Sequence, residues 1–185
     1  MFTLITGGVR NGKSDLGEKI CLEKNKNSKL YIATMQFNEK DEEARKRIEQ
    51  HRQMRKGRGF VTAEKYTALH ELDCSVYDTV LIECMGNLIA NEMFSEHGGN
   101  DVLYAIDKIQ KSVSNLVVIT NDVFSDGYLY DESTQKYIEK LAQVNCVLAE
   151  TADCVIEMVC GIPFFQKRGI TTLKWEQTSG VCASV

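Results

Sequence analysis

Residues 7–14 read Gly7-Gly8-Val9-Arg10-Asn11-Gly12-Lys13-Ser14, the spacing G-x-x-x-x-G-K-[ST] of a P-loop. The apolar run Phe2-Thr3-Leu4-Ile5-Thr6 precedes it, and a helix-like segment from Asp15 to Lys24 follows. Strand, glycine loop and helix in that order restrict the chain to an α/β phosphate-binding architecture. The glycines let backbone N–H groups turn inward around phosphate oxygens, where a side chain would collide. The N-terminus of the following helix adds a partial positive charge. Lys13 can then reach the β- and γ-phosphates, and the Ser14 hydroxyl can hold Mg²⁺.

A chain of 185 residues with 43% hydrophobic content can bury a substantial core. We expect one P-loop nucleotide-binding domain over residues 1–175 and a flexible C-terminal tail over 176–185, where the sequence turns polar and small. A formal net charge of -4 gives no reason to expect a nucleic-acid partner. The seven cysteines are odd in number and show no C-x-x-C spacing. Because the first strand opens at the second residue, no signal peptide is expected. Reduced thiols in a cytoplasm are therefore expected, with Cys84 and Cys154 inside apolar runs as core residues. No apolar run has the length of a membrane span.

Short apolar runs over residues 2–6, 30–34, 79–84, 116–120 and 154–160 alternate with helical patterns over 13–24, 39–55, 85–94, 101–114 and 133–151. Continuous apolar runs of this length suit strands buried on both faces. The expected fold is a P-loop NTPase-type α/β domain, a mostly parallel sheet flanked by helices, with a late edge strand at 171–175. The helix over 39–55 is heavily charged, with only Ala44, Ile48 and Met54 on its apolar stripe, as on a solvated face.

Three further places carry chemistry. The run Thr79-Val80-Leu81-Ile82 ends in Glu83, a carboxylate that can bind Mg²⁺ at a strand tip beside a phosphate loop. On the charged helix, Arg47 and Arg55 flank His51 at i−4 and i+4, which puts all three on one face. Neighbouring cations disfavour the imidazolium, and a neutral imidazole is a nucleophile. By spacing alone, a surface histidine remains the simpler reading of His51. His70 and His97 have no comparable setting and are read as structural or solvent residues. No His/Cys cluster has metal-ligand spacing.

GGVRNGKS, Arg47-Ile48-Glu49-Gln50-His51 with Arg55, and Leu81-Ile82-Glu83-Cys84 together resemble one family. It is the bifunctional adenosylcobinamide kinase / adenosylcobinamide-phosphate guanylyltransferase family of cobalamin biosynthesis. Tyr31-Ile32-Ala33-Thr34, Asn91, Val118 to Val123, Asn145, Ala152-Asp153 and Gly161-Ile162-Pro163 extend the similarity to about Gly169. Departures occur at Lys56 and Phe60, where the family has proline and tryptophan, at Met85 to Leu88, and over residues 122–128. In that last stretch Asp122-Val123-Phe124 stands in place of Glu-Val-Gly.

The resemblance implies two successive reactions. A nucleoside triphosphate, ATP or GTP, phosphorylates the aminopropanol hydroxyl of adenosylcobinamide. GTP then gives GMP to that phosphate, releasing pyrophosphate. The family's guanylylated histidine falls on His51, which makes His51 and Lys13 the implied catalytic residues. Its nucleotide contacts fall on Gly7 to Ser14, on Ala33, Thr34 and Met35, on Arg52, Gln53, Met54 and Arg55, and on Glu64 and Glu83. Ser14 and Glu83 are the implied Mg²⁺ ligands, and assembly as a homotrimer is implied as well. Two readings compete on the residues alone. One is another small-molecule kinase resting on the P-loop and Glu83; the other is a nucleotide-binding switch whose charged helix is a partner surface.

Overall fold

The computed structural model describes residues 1–24, 28–36, 49, 57–124 and 127–168. Seven strands form one sheet: β1 (Phe2–Gly7), β2 (Lys29–Ala33), β3 (Phe60–Glu64), β4 (Thr79–Ile82), β5 (Asn115–Ile119), β6 (Cys154–Val159) and β7 (Ile162–Lys167). Their order across the sheet is β3-β2-β4-β5-β1-β6-β7. Every neighbouring pair is parallel except β6 and β7. The helices are α1 (Lys13–Lys24), α2 (Met85–Phe94), α3 (Val102–Ser112) and α4 (Glu132–Thr151), with a 3₁₀ turn at Leu69–Glu71.

Side chains alternate across each strand, so one sequence feeds two cores. Phe2, Leu4, Leu30, Ile32, Val80, Ile82, Leu116 and Val118 point toward α2, α3 and α4, where Leu88, Ile106, Ile109, Leu141 and Leu148 meet them. Ile5, Tyr31, Leu81, Val117, Ile119 and Ile156 point the other way, onto Leu16, Ile20 and Cys21 of α1. Gly17 brings α1 close to this face: a Cβ there would lie 3.0 Å from Ile119 and 3.2 Å from Leu81. Asp101 caps α3 by accepting from the Tyr104 N–H, and Asp131 caps α4 by accepting from Ser133 and Thr134.

Two strands were not expected from the sequence. β3 is a mostly exposed edge strand of mixed polarity, FVTAE, without the continuous apolar run of a buried parallel strand. β7 follows a two-residue turn in which both Cys160 (φ 50°) and Gly161 (φ 82°) are left-handed. It carries the chain's one proline, Pro163, which an edge strand tolerates. The expected strand over 171–175 and the tail over 176–185 lie outside the described residues. So does the charged helix over 39–55, apart from Glu49, which is helical.

The expectation for Cys84 is corrected. β4 stops at Ile82, and Cys84 is the half-buried N-cap of α2, its Sγ accepting from the Asn87 N–H at 3.5 Å. The apolar run continues through residue 84 in sequence, but the chain leaves the sheet at its carboxyl edge to begin a helix. Cys154, in contrast, is buried at the start of β6.

Candidate active site

β1 lies between β5 and β6, and the P-loop leaves from its carboxyl end. The loop is pinned to β6: Gly7 sits opposite Met158, and Asn11 Nδ2 donates to the Met158 carbonyl at 3.3 Å. Gly7 has φ 139°, and a Cβ there would come within 2.5 Å of that same carbonyl oxygen. Only glycine fits, in conformation and in space. Gly12 (φ 82°) turns the chain into α1, and its carbonyl accepts from the Leu16 N–H at 3.0 Å. Arg10 adopts φ 59° at the loop tip, a left-handed conformation uncommon for a residue with a side chain. Val9 is exposed.

Lys13 is buried in this loop. Its ammonium donates to the carbonyls of Gly7 at 2.8 Å and Gly8 at 2.6 Å. Burial pushes its pKa below the ordinary lysine range, opposed by charge at Cys84 and at Asp122. Burial in turn pushes the Cys84 thiol up, which keeps it protonated near neutral pH. Asp122 is therefore the opposing charge that acts on Lys13 there. Ser14, half-buried, follows Lys13 in the first turn of α1.

The other positions that the family resemblance implies as nucleotide contacts, where they fall in the described residues, gather at the carboxyl ends of β2, β3 and β4. Glu83 is buried just beyond β4, and its Oε2 accepts from the Thr34 N–H at 3.3 Å. Thr34 Oγ1 donates to the Cys84 carbonyl at 2.9 Å, and the Thr34 carbonyl accepts from Asn91 Nδ2 at 2.9 Å. Ala33 ends β2 opposite Glu64, which accepts from the Tyr66 hydroxyl at 3.0 Å. Met35 follows, half-buried. At about 4.8 Å per strand, the edge runs about 10 Å from β1 to β4 and about 19 Å from β1 to β3. A phosphate loop at one end and carboxylates at the other thus share one edge on the length scale of a nucleoside triphosphate. His51, Arg52, Gln53, Met54 and Arg55 lie outside the described residues.

The sequence singled out residues 122–128 only as a departure from the family, without placing the end of β5 beside the P-loop. That strand stands between β1 and β4, so the residues after it flank the P-loop directly. The Asp122 N–H donates to the Gly7 carbonyl at 3.2 Å. Asn121 Nδ2 lies 3.5 Å from Cys84 Sγ, and Thr120 Oγ1 donates to Asn145 Oδ1 on α4 at 2.7 Å. The signal available was Asn121-Asp122 at the end of an apolar run, the same pattern that singled out Glu83. His70 lies in the 3₁₀ turn with its ring 6.3 Å from Tyr104, and His97 is exposed in the loop after α2.

A mostly parallel sheet with a P-loop at the end of an inner strand, flanked by helices, defines a protein of the P-loop NTPase class. Residues 3–165 match the family model described as cobinamide kinase / cobinamide phosphate guanyltransferase. The chain belongs to that family, a family of enzymes with kinase and guanylyltransferase activities. Comparison with curated proteins finds no match.

Among solved structures, the chain is similar to the flagellar accessory protein FlaH from Methanocaldococcus jannaschii. The TM-score is 0.52 at 15% identity, over 91% of this chain and 78% of that one. It is also similar to the KaiC-like protein PH0186 from Pyrococcus horikoshii OT3, with a TM-score of 0.45 and 11% identity over 84% and 69%. The RadB recombinase gives a TM-score of 0.42 and 13% identity over 84% and 73%. At such identities the likeness to FlaH speaks for the fold alone.

Proposed function

We propose that this chain catalyses two successive reactions at one nucleotide site. In the first, ATP or GTP phosphorylates the aminopropanol hydroxyl of adenosylcobinamide. In the second, GTP transfers GMP to that phosphate, giving adenosylcobinamide-GDP and pyrophosphate. The second runs through a covalent histidine–GMP on His51: the imidazole nitrogen bonds the α-phosphorus, the bond to the bridging oxygen breaks, and pyrophosphate leaves. The cobinamide phosphate oxygen then displaces the histidine. An unperturbed histidine is mostly neutral at pH 7, as attack requires.

What supports this reading most is the P-loop itself, with its buried Lys13 on the Gly7 and Gly8 carbonyls, in a chain that belongs to this family. Phosphate oxygens would replace those carbonyls around the ammonium. Among the described residues, no three His, Cys, Asp or Glu side chains converge as a closed metal cage. Mg²⁺ is commonly held by one or two protein oxygens, with phosphates and water completing its shell. The hydroxyl of Ser14 and the carboxylate of Glu83 are donors of that kind. When bound, the ion offsets charge on the phosphate oxygens.

The reading includes a homotrimer with the His51 helix near a subunit boundary. It also includes a cytoplasmic setting, with which the free thiols of the six described cysteines agree. Among the described residues, no helix is long and apolar enough to cross a membrane.

The deciding experiment is intact-protein mass spectrometry after incubation with GTP and Mg²⁺. The expected result is a mass increase of one GMP mapped to His51, absent in His51→Ala. An unmodified wild-type protein at saturating GTP would remove the transferase half. Phosphoryl transfer from the γ-position that persists in that case would leave a kinase alone.

A further inference from the structure

We propose that Asp122 is the base of the phosphoryl-transfer half-reaction, accepting the proton of the acceptor hydroxyl as its oxygen attacks the γ-phosphorus. The inference rests on the kinase activity proposed above. In the step, the acceptor oxygen bonds the γ-phosphorus and the bond from that phosphorus to the β–γ bridging oxygen breaks. The nucleoside diphosphate leaves, and the hydroxyl proton goes to the carboxylate, which later returns it to water.

The placement of Asp122 is set by the sheet. β5 pairs with β1 in the register Ile5↔Ile119, and the Thr120 N–H continues the ladder to the Ile5 carbonyl at 2.9 Å. Two residues on, the Asp122 N–H donates to the Gly7 carbonyl, which also accepts from Lys13. Asp122 is thereby fixed to the root of the phosphate loop. The segment behind it is held from α4 by Asn145, which accepts from Thr120 and donates to the Asn121 carbonyl at 3.4 Å.

Its carboxylate is also available. Oδ1 accepts from the Phe124 N–H at 3.2 Å, while Oδ2 has no partner among the described residues, and the side chain is exposed. Glu83, in contrast, is buried with an oxygen on Thr34. A carboxylate fixed beside a triphosphate cradle opposes nucleotide binding by like-charge repulsion. Taking up a proton during the reaction offsets that cost and converts the charge into chemistry. The same charge acts on Lys13 in the direction opposite to its burial.

The test compares wild type, Asp122→Asn and Asp122→Glu in two assays. Phosphorylation of cobinamide is followed with γ-labelled nucleotide, and GMP transfer with cobinamide phosphate supplied directly. In Asp122→Asn, cobinamide phosphorylation should fall about 100-fold or more in kcat. Nucleotide affinity should stay at or rise above wild type as the like charge is removed, with the half-saturating Mg²⁺ concentration and melting temperature near wild type and GMP transfer reduced far less than phosphorylation. Asp122→Glu should recover part of the kinase rate. Unchanged phosphorylation, an equal loss in both assays, or a defect relieved by raising Mg²⁺ would overturn the assignment. A wild-type protein that phosphorylates no acceptor would instead overturn the kinase reading on which it rests.

Discussion

Lys13 and Asp122 are bound to one and the same atom, the carbonyl oxygen of Gly7, from Nζ at 2.8 Å and from the backbone N–H at 3.2 Å. A cation of the phosphate loop and an anion from the neighbouring strand are thus held in fixed relation by the loop's first glycine. Movement of that carbonyl disturbs both.

The Gly7 carbonyl can hold this position only because Gly7 has no side chain. Gly7→Ala introduces a Cβ 2.5 Å from the Met158 carbonyl at φ 139° and should destabilise the protein by roughly 2–4 kcal/mol. Nucleotide binding should be lost with it. Gly99→Ala is the control, since Gly99 also has positive φ (93°) but nothing within 4 Å of its Cβ position. It should cost about 1 kcal/mol. Urea unfolding of both variants, read as a shift in midpoint, checks the pair; equal losses would contradict the packing argument.

Lys13→Ala should weaken nucleotide binding by roughly 10- to 100-fold, the worth of hydrogen bonds from a charged donor. Without nucleotide its melting temperature should change little, because the desolvation cost of a buried ammonium disappears together with its two carbonyl contacts. Titration calorimetry with GTP and a thermal scan separate the two effects. Unchanged affinity would put the phosphate site elsewhere.

Glu83→Gln keeps an oxygen able to accept from Thr34 while removing the charge. Nucleotide affinity in Mg²⁺ should drop about tenfold with the fold intact. Equal affinity for wild type and variant would mean that the carboxylate serves only to hold Thr34.

Glu92 is buried, and its two oxygens take three N–H donors. Ala68 N–H bonds Oε1 at 2.7 Å; Asn100 N–H and Nδ2 bond Oε2 at 2.9 and 3.0 Å. Glu92→Ala strands these donors and should cost roughly 3 kcal/mol. Glu92→Gln should fall between, because its NH₂ group faces N–H donors on one side. Chemical denaturation measures both, with faster proteolysis expected over residues 95–100 in the alanine variant.

Burial pushes the Cys21 thiol up to about 12. The folded state therefore keeps a proton that the unfolded state releases near pH 9, so Cys21 lowers stability progressively as pH rises from about 9 toward 12. Cys21→Ala should show a shallower decline over that window than wild type. At pH 8 a thiol reagent should modify the exposed Cys146 and Cys160 before Cys21 or Cys74, which react only on unfolding. Reaction of Cys21 in the folded protein at a rate like that of Cys160 would refute this.

Strand–loop–helix over residues 2–24 was legible because the motif is local: glycines, lysine and apolar run follow one another in the chain. α1 and α2 were expected over the residues they occupy, and α3 and α4 within two. In each, apolar spacing and a boundary signal coincide. The edge strands β3 and β7 were not legible. Half-exposed strands lack the continuous apolar run of a buried parallel strand, and the β6–β7 turn uses a cysteine where glycine or asparagine would announce a left-handed residue. Cys84 was misplaced for a related reason, since hydrophobicity continues past the point where the strand ends.

The sequence by itself determined the phosphate loop, the alternation of strands and helices, and the candidate carboxylate at the tip of β4. Only the tertiary structure decided that β5 enters between β1 and β4, because strand order is set by long-range pairing and two-sided burial, which local pattern does not encode. That insertion carries Asp122 to the Gly7 carbonyl and leaves Glu83 with Thr34. Two acids that look alike in the chain thereby acquire different surroundings.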